Sequence, residues 1–110
     1  MRFTPPVLAV VLGAAFFAGC YPKSAPPPGS VGPKGVEAAQ AHAPGASVAS
    51  LERGRQLFLA HCNACHGYPD VDAVPAAEWP GILVEMGDNA HLTPVERDET
   101  LAFVLASRAR

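Results

Sequence analysis

Cys62, Cys65 and His66 stand together in the stretch "HCNACHG", two thiols three residues apart with an imidazole directly after the second. Three chemistries use such a set. A Cys-x-x-Cys pair forms a redox disulfide, but the thioredoxin-like form follows a strand in a βαβ unit, and the pattern around Cys62 is helical. Structural zinc takes four ligands, and the histidines left to complete a set are His61 and His91; His61, directly before Cys62, is badly placed to share a tetrahedral site with it. The third is covalent haem. Cys-x-x-Cys-His is the attachment pattern of a c-type haem, because thiols one turn apart reach the two vinyl groups while the next residue places an imidazole under the iron.

His66 supplies one axial ligand, which leaves the opposite face. Met86 lies 20 residues further on, is the only methionine after the initiator, and is followed by Gly87, where a chain can turn. His91 is the rival donor, and a vacant or labile sixth site is the third possibility. The choice sets the chemistry. A thioether favours ferrous iron and a high potential, an imidazole a lower one, and an open site would bind a small gas.

The count of three cysteines leaves Cys20 to be explained. The chain opens with Arg2, an apolar run from Val7 to Ala18, and small residues before Cys20. A run this short falls below the roughly 20 residues that span a bilayer, so residues 1–19 read as a signal peptide. "FAGC" at 17–20 resembles the lipobox of bacterial lipoproteins, with Phe17 in place of the usual leucine or valine. The resemblance implies that Cys20 is acylated and heads the mature chain; an ordinary signal cleaved just before Cys20 is the other reading. From residue 20 to 49, prolines and glycines alternate with alanines, and Tyr21 is the last aromatic. That composition predicts a disordered tether reaching several tens of Å.

The folded part is then residues 50–110, all-α, with about three helices. Ser50 is a candidate N-cap for "LERGRQLFLAHC". Gly54 in that helix costs on the order of 1 kcal/mol relative to alanine, which implies that another backbone comes close. Thr93, Pro94 and Glu96 form a T-x-x-E capping box with proline at the first position of a last helix, which buries Leu101, Val104 and Leu105 and carries Phe103 or Ala102 on an adjoining face. A shorter helix spans Pro75 to Met86, with a restart or kink at Pro80. So small a domain needs a staple beyond its apolar core.

From Leu51 onward the chain resembles a small class I monohaem cytochrome c. The residues that carry the resemblance are "GRQLFLAHCNACHG", "EWPGILVEM" and "LTPVERDETLAFVL". It implies that Gly54 and Phe58 of the first helix meet Phe103 of the last around one covalent haem c. Because W-x6-M precedes the last helix in such proteins, it also implies Met86 as sixth ligand. Tyr68 and Trp79 either pack at the haem or fill core. The expected role is a non-enzymatic electron carrier in the periplasm, free or as a subunit of a larger oxidoreductase, with redox proteins at the membrane surface as partners. Tyr21 after the lipidated cysteine, rather than aspartate, leans toward the outer membrane. From Val48 on, five arginines face nine carboxylates and there is no lysine, a net charge of −4. Nothing in this composition suits nucleic acid, and partners would dock through apolar contact or basic groups of their own.

Overall fold

A computed structural model describes residues 25–63 and 67–109. These residues form four α-helices and no strand: α1 (Pro33–His42), α2 (Val48–His61), α3 (Trp79–Asn89) and α4 (Pro94–Ser107), with a short 3₁₀ turn, Ala76–Glu78, leading into α3. The helices are arranged around α4, which packs on each of the other three. Its burial is correspondingly broad, running from Thr100 through Val104 and again at Ala106. A helix covered on several sides loses the single apolar stripe of a surface helix.

The strongest packing is α2 on α4. A Cβ on Gly54 would overlap the Glu99 carbonyl oxygen and lie 2.9 Å from Phe103 Cβ, so the two backbones meet where only glycine fits. Phe58 and Phe103, both fully buried, pack edge to face there with centroids 5.7 Å apart. The close approach expected at Gly54 is therefore present. Leu51, one turn earlier, meets Ala102 and Ala106 on the other flank of the crossing.

Helix ends follow local chemistry. Thr93 and Glu96 bond reciprocally, 3.0 and 3.2 Å, as the T-x-x-E pattern predicts. α2 starts earlier than expected: Ser47 is the N-cap and Ser50 is its N3 partner, each hydroxyl accepting the other's amide. Pro80 sits in the first turn of α3, so the expected restart occurs at Trp79, where no intrahelical donor is needed. The helix then runs past Met86 and Gly87 to Asn89. It stops at His91, which takes φ 58° while Leu92 N–H bonds the Gly87 carbonyl and His91 N–H that of Asp88. That is a Schellman ending with histidine at the left-handed position usually held by glycine.

The largest departure lies in the proline-rich segment. Residues 25–49 were expected as disordered tether, yet residues 33–42 form α1, and Ala39 and Gly35 are buried against α4. Pro33 opens the helix at a position that tolerates its missing donor, and the alanines of "VEAAQA" favour helix. Small side chains on both sides, Ala39 and Ala46 against Ala102 and Ala106, let α1 dock closely. Residues 1–19, expected as a signal peptide, Cys20 and the rest of the segment before Ala25 lie outside the described residues.

Candidate functional site

The Cys-x-x-Cys-His stretch begins at the C-cap of α2. Cys62 is the C-cap, its amide bonded to the Phe58 carbonyl at 3.0 Å, and its side chain leans half-buried on the main core cluster of Phe58, Val71, Trp79, Leu83, Leu101, Phe103 and Val104. Burial pushes the Cys62 thiol up to about 11. Cys65 and His66 lie outside the described residues.

The chain after the motif is tied down at several points. Tyr68 stacks on Phe58 with centroids 5.9 Å apart, and its hydroxyl donates to the Leu59 carbonyl at 2.8 Å. Pro69 and Val71 are buried. The Val71 carbonyl accepts from Trp79 Nε1 at 3.3 Å and also from Arg108, whose Nη1 reaches the Val74 carbonyl as well. These charge-assisted bonds fix the 67–74 connection against the end of α4. No local sequence pattern announces this bond from Arg108 to a carbonyl 37 residues away. Tyr68 and Trp79 thus serve the core and the backbone of this connection.

Tyr68, Val74, Ile82, Leu105 and Cys62 form a rim of partly buried apolar side chains on the main cluster. Met86 follows Ile82 by one turn of α3 and is half-buried. His91 is exposed, and its backbone is committed to ending α3. His61 is half-buried at the end of α2. Among the described residues, no three His, Cys, Asp or Glu side chains gather as a metal-binding group, so neither His61 nor His91 joins Cys62 in one. His42 is exposed on α1.

Of the residues that would hold a haem, Cys62 ends α2 half-buried against the apolar cluster, and Met86 is half-buried on α3. No family model, curated protein or solved structure matches this chain. No helix among the described residues is long and apolar enough to cross a membrane.

Proposed function

We propose that the chain is a lipid-anchored, periplasmic c-type cytochrome that carries single electrons. The observation that carries the reading is the Cys-x-x-Cys-His motif beginning at the C-cap of a helix that crosses the last helix glycine-to-backbone and aromatic-to-aromatic. Cys62 and Cys65 would hold haem c through thioethers, with His66 and Met86 as its axial ligands. Bound there, the haem supplies a one-electron ferric/ferrous couple, which needs no bond chemistry from the protein.

The protein's own part is to hold that couple rigidly and dry. Tyr68, Trp79 and Arg108 lock the connection after His66, so the loop has little freedom to reorganise with a change of charge. The apolar rim excludes water from one side of the site. Half-buried Met86 lies at a margin of the core, where a soft donor can be offered without unpacking the buried cluster. The acidic surface from Val48 onward would meet basic or apolar partners, and Cys20, if acylated, keeps the carrier at a membrane.

The test is the absorption spectrum of protein made in a host that matures c-type haem. A weak far-red band in the oxidised form reports methionine ligation. It should vanish in Met86→Ala and persist in His91→Ala. A high-spin spectrum that shifts on adding carbon monoxide to the reduced wild-type protein would instead favour a gas binder with an open sixth site.

A further inference from the structure

The segment before α1 crosses the surface as a strap. The Ala25 amide donates to the Tyr68 carbonyl at 2.9 Å, two residues past His66. Arg55 Nε donates to the Pro28 carbonyl at 3.1 Å, Ser30 Oγ reaches Glu52, and Val31 packs against both core clusters. Ala25 is thus tied into the fold, and residues 21–24 are all that separate it from Cys20. Five Cα-to-Cα steps extend at most about 18 Å. A compact unit the size of residues 25–109 is on the order of 30 Å across. That maximum reach is shorter than the body, so only the surface around the strap can meet whatever Cys20 is fixed to.

That surface has the chemistry of a bilayer contact. A groove of about 690 Å³ opens on it, walled by Pro28, Val31, Pro33, Val71 and Ala106, with exposed Lys34 at its edge. The chain's only lysines, Lys23 and Lys34, both belong to this stretch, while the excess of carboxylates begins after Val48. Anionic headgroups attract these lysines, against which Glu52 and Asp70 beside the strap work.

We propose that the strap face, and with it the connection just after the haem-attachment motif, is held against the bilayer surface rather than swung freely on a long tether. The inference rests on the reading of Cys20 as lipidated. In the mature holoprotein the native cysteines are consumed by haem and acyl group, so one introduced thiol is a unique labelling site. Gly29→Cys has open space around its Cβ, and exposed Val95→Cys lies at the far end of α4 from the groove, roughly 18 Å along the helix axis. Each nitroxide-labelled holoprotein is placed in phosphatidylethanolamine and phosphatidylglycerol vesicles containing a nickel-chelating lipid. Relaxation of the label at 29 should exceed that at 95 several-fold, and a long Gly/Ser insert after residue 24 should abolish the difference. Equal relaxation of the two labels in a vesicle-bound, acylated protein overturns the orientation while leaving lipidation standing. A protein with no acyl group on its N-terminal peptide, which fails to float with the vesicles, overturns both.

Discussion

Replacing Gly54 by alanine tests the packing that positions the site. On an unencumbered helix the change stabilises by about 1 kcal/mol, through propensity alone. Here the new methyl would lie 2.8 Å from the Glu99 carbonyl carbon and 2.9 Å from Phe103 Cβ, besides overlapping the Glu99 oxygen. Carbon atoms rest about 3.5–4.0 Å apart, and neither obstacle can rotate away, so α2 and α4 must part by roughly 1 Å. The Phe58–Phe103 contact and the Leu51 contacts lie on the same interface, and a gap of that size forfeits a quarter to a half of each dispersion well. Overpacking of this kind costs about 1–3 kcal/mol, and rigid main chain puts Gly54→Ala near the top of that range. Set against the gain in propensity, the net loss is about 2 kcal/mol, or a fall in Tm of roughly 8–16 °C for a domain of this size. Gly81→Ala is the control, since a Cβ there meets nothing within 4 Å; it should be neutral or stabilising by up to about 1 kcal/mol. Thermal unfolding followed by far-ultraviolet circular dichroism reads both. An unchanged or raised Tm in Gly54→Ala would refute the close crossing.

Other consequences follow from single residues. His91→Gly relieves a left-handed backbone that costs a non-glycine residue about 1–2 kcal/mol, so Tm should rise while the haem spectrum stays unchanged; loss of the spectrum would make His91 a ligand. Met86→His should lower the reduction potential by a few tenths of a volt, within the roughly 0.8 V that axial ligands span, as potentiometry would show. Glu96 is held below the usual carboxylate range by the Thr93 amide, then by its hydroxyl. Its contribution to stability is therefore present above that range and is lost as pH falls through the lowered value, a pH dependence that Glu96→Gln should reduce in acid titrations of unfolding. Arg108→Ala removes the donor to the Val71 and Val74 carbonyls and should destabilise by about 1.5–3 kcal/mol in denaturant unfolding.

What could be read ahead of the structure was local or sterically absolute. The Thr93–Glu96 box is a pattern within four residues, and a glycine inside a helical stripe has few reasons to exist other than close approach. Pro80 announced its restart because a proline in the first turn removes no bond. What could not be read depends on tertiary partners. α1 is a short helix in a proline-rich sequence and forms because small residues of α4 receive it; an isolated ten-residue helix is marginal in water. The turn after α3 was expected at Gly87, but the left-handed residue is His91, an uncommon occupant that only backbone bonding reveals. Arg108 and Arg55 reach carbonyls far away in sequence, and neither spacing nor composition marks such bonds.

The account stands most directly on whether haem is covalently attached at Cys62 and Cys65. Mass spectrometry of the denatured protein, expressed with c-type maturation, should show one haem on the tryptic peptide containing His61 to His66. The pyridine haemochrome should have the α band of a haem with both vinyl groups saturated. A peptide carrying free thiols, a disulfide, or a haem that extracts into acid acetone would contradict it.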